Sequence, residues 1–204
     1  MDSLRITLKT ERLLLRPWCR ADLSAMADWP PFTAPLDQVW NWPQRLSLLG
    51  SLDTFFAIHD ADPQRRAWTI LNSGAVIGLL QLKDIHPSEG DAIMGIAFGH
   101  PWVGKGYGRE ALTAFLEAYF ECFNFTTLRL EVALVNRRAY HLYETLMFQE
   151  TRRFWRDAGT AEENRFLDEL AYAGLRSYFR WASGGVYQLY AEMKLSADRW
   201  RTAG

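Results

Sequence analysis

Apolar residues recur along this chain first at the spacing of strands and later at the spacing of helices. Leu13-Leu14-Leu15 is a short apolar run closed by Pro17, the mark of a buried strand, and Arg20 to Asp28 carries Leu23, Met26 and Ala27 at helical spacing. The prolines and tryptophans between Trp29 and Pro43 predict a turn, one short helix and a break. Thr54 to His59 is expected to form a strand, followed by Ala67 to Leu71. Asn72-Ser73-Gly74 then reads as a tight hairpin turn, with Ala75 to Leu82 as the returning strand and Gly90 to Phe98 as the next.

After Phe98 the period changes. A glycine-rich stretch, Gly104 to Gly108, precedes Ala111, Leu112, Phe115, Leu116, Tyr119 and Phe123 at helical spacing. Leu128, Leu130, Val132 and Leu134 alternate with Arg129 and Glu131, which predicts a strand with one apolar face. Ala139, Leu142, Tyr143 and Leu146 mark another helix, and Phe148 to Phe154 a further strand. Thr160-Ala161-Glu162-Glu163 has the form of a capping box ahead of Leu167, Leu170, Ala171, Gly174, Leu175 and Tyr178, so a helix is expected within 160–181. Antiparallel strands followed by a strand–helix–strand–helix–strand run argue for a mixed α+β architecture, a sheet with helices on its faces. With no repeat, low-complexity tract or linker dividing it, the chain 1–204 reads as a single domain.

Composition narrows the function classes. The net charge is −1 and the Lys and Arg residues are dispersed, which argues against a nucleic-acid partner. No run of about 20 uncharged apolar residues is present to span a bilayer, so no membrane partner is expected. Charges interrupt Met1-Asp2-Ser3-Leu4-Arg5-Ile6, so no signal peptide is expected either. Cys19 and Cys122 are too few for a disulfide framework, which points to a reducing, cytoplasmic setting. His59, His86 and His141 lack metal-ligand spacing, and no metal is expected.

The most informative stretch is Val103-Gly104-Lys105-Gly106-Tyr107-Gly108-Arg109, which follows a strand and opens a helix. Backbone N–H groups at a helix start, with the positive end of the helix dipole, bind phosphate oxygens, and glycines let an anion approach the backbone closely. A dinucleotide-binding loop requires G-x-G-x-x-G, and Arg109 stands three residues after Gly106; the P-loop spacing is also absent.

A third phosphate-loop pattern is met more nearly. The loop resembles the Gln/Arg-x-x-Gly-x-Gly/Ala segment of GNAT N-acetyltransferases, with both glycines in place and Val103 where Gln or Arg is usual. Asn136-Arg137-Arg138-Ala139-Tyr140-His141-Leu142-Tyr143-Glu144-Thr145-Leu146-Met147-Phe148 is similar to the same family's Asn-x-x-Ser-x-x-Leu-Tyr-x-x-x-Gly-Phe segment, with Ala139 for Ser and Met147 for Gly. Thr10-Glu11-Arg12-Leu13-Leu14-Leu15-Arg16-Pro17 resembles the opening strand of the RimJ/RimL-like branch.

The resemblance implies the GNAT fold, a mixed central sheet of about six or seven strands flanked by helices, with 160–181 as an extra helical insertion. It also implies acetyl transfer from acetyl-CoA to a primary amine of a small molecule, protein or peptide by direct attack. The loop residues Val103, Gly104, Lys105, Gly106, Tyr107, Gly108 and Arg109, together with Asn136, would hold the cofactor. Backbone groups at Ile96, Ala97 and Phe98 would hold the pantetheine arm, and Tyr143 would serve the leaving thiolate as acid. Glu131 is the candidate general base, with His100 as the alternative, and an amine that arrives partly neutral would need no dedicated base at all. On the acceptor side the resemblance points to Trp29–Trp42, which reads equally as core. The 160–181 segment reads as an acceptor cover, a homodimer contact or simple packing. Two further readings stay open, a non-catalytic acyl-CoA-binding regulatory module on the same fold and an unrelated nucleotide-phosphate binder.

Overall fold

Alternation along the early strands decides which side chains meet. The computed structural model describes residues 4–203, so the Met1-Asp2-Ser3 portion of the signal-peptide reading lies outside the described residues. Contacts group the chain into two compact units, 1–128 and 129–204.

In the first unit β1 (Leu8–Lys9), β2 (Leu13–Pro17), β3 (Arg66–Asn72), β4 (Ala75–His86) and β5 (Asp91–Phe98) pair antiparallel in chain order. Ser73 and Gly74 join β3 to β4 with φ of +49° and +84°, the geometry the Asn72-Ser73-Gly74 signal predicts for a two-residue hairpin. Period-two register puts Leu13, Leu15, Trp68 and Ile70 on one face and Arg16, Ala67, Thr69 and Leu79 on the other. The first face meets α4 (Tyr107–Glu117), where Phe115 packs edge-on to Trp68 with ring centroids 5.1 Å apart.

The second face is covered by α1 (Arg20–Ala27), α2 (Trp42–Leu48) and α3 (Leu52–Ala61). Leu23, Met26, Trp29, Leu52 and Leu79 form its core, with Trp18, Trp42, Phe55 and Phe56 packed around them. Each fully buried side chain of this size stabilises the fold by about 1.5–3 kcal/mol. Here the expected strand Thr54–His59 proves to be helix α3. Its helical register sends Phe55, Phe56 and His59 toward Trp18 and leaves Ile58 63% exposed, an arrangement a strand cannot give.

The start of α1 is locked to the sheet by a buried carboxylate. Asp22 is 3% exposed and accepts from Arg16 Nη1 and Nη2 at 2.8 and 2.6 Å, from Thr69 Oγ1 at 2.6 Å and from the Cys19 N–H at 2.8 Å. Burial works to raise its pKa, but the hydrogen bonds from Arg16, Thr69 and Cys19 outweigh it and hold the carboxyl below its ordinary value.

The second unit opens within β6 (Thr127–Ala133) and continues through α5 (Arg137–Thr145), β7 (Gln149–Thr160), β8 (Phe179–Ala182), β9 (Gly185–Ser196) and α6 (Ala197–Ala203). β9 lies between β6 and β7 and also pairs with β8. The architecture is mixed α+β, as expected. Nine strands occur among the described residues instead of six or seven; β1 and β8 are too short to show as apolar runs.

The 160–181 segment departs from the single amphipathic helix its pattern predicts. The capping box forms, with Glu163 Oε2 accepting from the Thr160 N–H at 2.7 Å, yet 3-10 turns follow at Arg165–Asp168 and Leu170–Tyr178. Asn164 donates to the Ala158 and Thr160 carbonyls, and Arg176 to those of Leu167 and Asp168, so side chains take up carbonyls that an α-helix would pair internally. Leu167 is buried while Leu170 is 90% exposed, and no continuous apolar stripe results.

α5 ends in a Schellman motif: the Phe148 N–H donates to the Tyr143 carbonyl at 3.0 Å and the Met147 N–H to that of Glu144 at 2.9 Å. The motif requires a left-handed residue, and Met147 supplies it with φ of +70°, which an unbranched side chain tolerates better than a β-branched one. Met147→Val is therefore expected to lower stability by about 1–2 kcal/mol in urea denaturation. Met147→Gly should change it by less than about 1 kcal/mol, because relief of strain is offset by chain entropy.

Candidate functional site

The glycine stretch is shaped by dihedral angle and not by crowding. After β5 the chain turns through His100–Trp102, runs extended at Val103, and takes φ of +79° at Gly104 and +82° at Gly106 before α4 begins. A Cβ at Gly104 would meet nothing within 4 Å, so the loop surface is open while its backbone conformation still calls for glycine. Gly106 is the N-cap of α4; its carbonyl accepts from the Glu110 N–H, and no side chain caps the first turn. The N–H groups from Tyr107 onward thus lie at the positive end of an 11-residue helix, an arrangement suited to phosphate oxygens. The Val103 N–H is directed at the His100 carbonyl, at a long 3.4 Å.

Aromatic packing fixes the segment leading into the loop. Ile96, Ala97 and Phe98 end β5 opposite Leu80, Leu79 and Gly78 of β4, and a Cβ at Gly78 would come within 2.8 Å of the Ala97 carbonyl. Gly99 lies against the Trp29 and Trp102 rings, each 2.7 Å from where its Cβ would stand. Trp29 is itself held by a 2.8 Å bond from its Nε1 to the Val76 carbonyl, and His100 meets Phe32 edge-on. Trp29 and Phe32 are buried and Trp42 joins the α1–α3 core, so these three support the fold, whereas Val39 and Trp40 are exposed.

A cluster that the sequence pattern does not reveal joins the β1–β2 turn to the loop. Glu110 in the first turn of α4 accepts from the Thr10 hydroxyl, from the Arg12 N–H at 2.9 Å and from Arg12 Nε and Nη2, both at 2.6 Å. Arg12 Nη1 donates to the Lys105 carbonyl at 3.3 Å, and its guanidinium lies over the Tyr107 ring at 4.7 Å. Burial works to raise the Glu110 pKa, but the bonds from Thr10 and Arg12 prevail and hold it below its ordinary value. Arg12 and Glu110 are 98 positions apart, and only the packing of the β1–β2 turn against α4 brings them together.

In the second unit Asn136 is the N-cap of α5, its Oδ1 accepting from the Ala139 N–H at 3.2 Å. Tyr143, two turns on, is 7% exposed and packs against Phe148. Burial alone pushes its hydroxyl up to about 12. Glu131 on β6 accepts from Arg156 Nη2 at 2.7 Å, and the Arg156 guanidinium lies 4.6 Å from the Tyr190 ring centroid. Among the described residues no group of three or more His, Cys, Asp and Glu side chains is placed to hold a metal, and no helix is long and apolar enough to cross a membrane.

The family model described as an acetyltransferase (GNAT) domain matches residues 12–149. The uncharacterised N-acetyltransferase YycN of Bacillus subtilis is 33% identical over 92 residues, 44% of this chain and 58% of YycN, so little more than half of that relative is spanned. Among solved structures, the spermidine N-acetyltransferase of Vibrio cholerae in complex with CoA and spermine superposes with a TM-score of 0.68 at 21% identity, covering 94% of this chain and 99% of that one. A chimera of SpeG from Vibrio cholerae and hSSAT gives 0.66 at 22% identity, with the same coverage. These likenesses agree with the mixed α+β architecture, and the family match spans both the glycine loop and the Asn136–Tyr143 segment. The chain belongs to the GNAT acetyltransferase domain family.

Proposed function

We propose that this protein transfers an acetyl group from acetyl-CoA to a primary amine of a small molecule, protein or peptide, by direct attack through a tetrahedral intermediate. The observation that carries the reading is the uncapped first turn of α4 behind two positive-φ glycines, in a chain of this family. That loop fits a diphosphate because no side chain caps the first turn of α4; Val103, Gly104, Lys105, Gly106, Tyr107, Gly108 and Arg109 would hold it. Ile96, Ala97 and Phe98 would hold the pantetheine arm by backbone bonds, and Asn136 would act by fixing the start of α5. The two compact units would serve one domain, of the RimJ/RimL-like branch that Thr10 to Pro17 resembles. A cytoplasmic setting and a homodimer contact at 160–181 belong to the same reading.

In the proposed chemistry the neutral amine nitrogen attacks the thioester carbonyl, and the carbon–sulfur bond breaks as the tetrahedral species collapses. Glu131, oriented by Arg156, would take the proton the amine loses. With its hydroxyl near 12, Tyr143 remains protonated throughout the physiological range. Full proton transfer to a thiolate of ordinary pKa about 8.5 would be uphill. Tyr143 is therefore assigned hydrogen-bond donation to the departing sulfur, and Glu131 would pass the proton it has taken from the amine on to the thiolate, which restores the carboxylate and balances the step.

Thiol release from acetyl-CoA, measured against amines, peptides and the polyamines named for the Vibrio cholerae structures, tests the reading beside a thermal shift with CoA. Release above hydrolysis with at least one acceptor is expected, along with a shift. A Glu131→Gln variant should lose its dependence on a basic group in the pH–rate profile. A shift without release across the panel would favour the non-catalytic binding module, and the absence of both shift and release would refute the acyl-CoA assignment.

A further inference from the structure

We propose that Arg12 is the positioning residue of the diphosphate loop, doing from the bend before β2 what the side chain at position 103 does not. The proposal rests on the acetyl-CoA reading above. Val103 brings no polar side chain to the loop, yet the loop must hold its backbone donors in place before an anion arrives. Arg12 reaches it from outside: Nη1 binds the Lys105 carbonyl at 3.3 Å, between the two positive-φ glycines, and the guanidinium covers the Tyr107 ring that begins α4. A carbonyl held in this way is turned toward Arg12, and the loop is tied at its middle and at its helical end.

The second part of the role is electrostatic. Glu110 carries a negative charge in the first turn of α4, where it stabilises the helix but opposes a phosphate group bound at the same terminus. Arg12 Nε and Nη2 both bind Glu110 Oε2 at 2.6 Å, while Thr10 and the Arg12 N–H occupy Oε1. The carboxylate is thereby neutralised at short range without being removed. An arginine serves here and a lysine does not, because three donors of one planar group are used in two directions. Position 12 immediately precedes β2, and its carbonyl accepts from Asn72 Nδ2 of β3 at 2.9 Å, so the tie is anchored at the edge of the paired strands.

The test compares acetyl-CoA with S-acetyl-pantetheine, which keeps the thioester and lacks the diphosphate. Arg12→Met should raise the CoA Kd and the KM for acetyl-CoA at least tenfold, with kcat within about twofold. Turnover of S-acetyl-pantetheine should match the wild type. Adding Glu110→Gln to Arg12→Met should recover part of the CoA affinity by removing the uncompensated charge. Equal loss with both thioesters would mark a general structural effect and overturn the proposal, as would unchanged CoA affinity. If Arg12→Met does not fold, Arg12→Lys carries the test: it keeps the charge, gives up the fork, and should still weaken CoA selectively. Wild-type protein that fails to bind CoA in the same titration would instead refute the acyl-CoA reading itself.

Discussion

Tyr143→Phe is expected to lower kcat about 100-fold while leaving the CoA Kd within about threefold. The magnitude follows from what one well-placed donor contributes to charge developing in a transition state, about 3 kcal/mol. The side chain is 7% exposed and packs against Phe148, so removing a single oxygen keeps the ring contacts and should hardly disturb stability. Stopped-flow or steady-state thiol release, with CoA binding by calorimetry on the same preparations, separates the two effects. Equal turnover by the two proteins would remove Tyr143 from the chemistry. A matched fall in CoA affinity and turnover would assign it to binding.

Asp22→Asn carries the largest expected effect on stability, a loss of about 2–4 kcal/mol near neutral pH. The amide retains the shape but gives up the ion pair to Arg16, and its NH2 group cannot accept from the donors now served by the two carboxylate oxygens. Arg16 is partly exposed and can recover water, which keeps the cost below that of a fully buried pair. The folded-state pKa is depressed, so the stabilisation is present above the unfolded value, about 3.9, and is lost as pH falls through the folded one. The gap between wild type and variant in urea denaturation should therefore be full near pH 7 and close progressively below about pH 4. A gap that stayed constant into acid would mean the contribution of Asp22 is one of shape and not of charge.

Much of the second half of the molecule was legible because periodicity and local chemistry agreed there. The apolar stripe of α4 and the alternation of β6 needed no tertiary information, and Asn136 is the N-cap its position suggested. Thr54 to His59 was misread because Phe55, Phe56 and Ile58 make a short apolar run that fits either period; contact with Trp18 and Trp42 selects the helix. At 160–181 the amphipathic pattern is present, but Asn164 takes up the Thr160 carbonyl and Arg176 that of Leu167, both of which an α-helical ladder would need. Short-range sequence carries no weight for such bonds, since each depends on where a neighbouring strand or turn has already put its partner.

By itself the sequence determined the mixed α+β class, the hairpin at Ser73-Gly74, the glycine loop at the head of a helix and the order of the two family segments. Those are local matters, fixed by period, by turn chemistry and by the few residues that accept positive φ. Tertiary structure alone decided that Glu110 is answered by Arg12 and Thr10 about 100 positions away, that Asp22 gathers Arg16 and Thr69, and that Glu131 is held by Arg156. Charges act through space and not along the chain. Which carboxylate is neutralised, held ready or buried is therefore settled only when strands distant in sequence lie side by side.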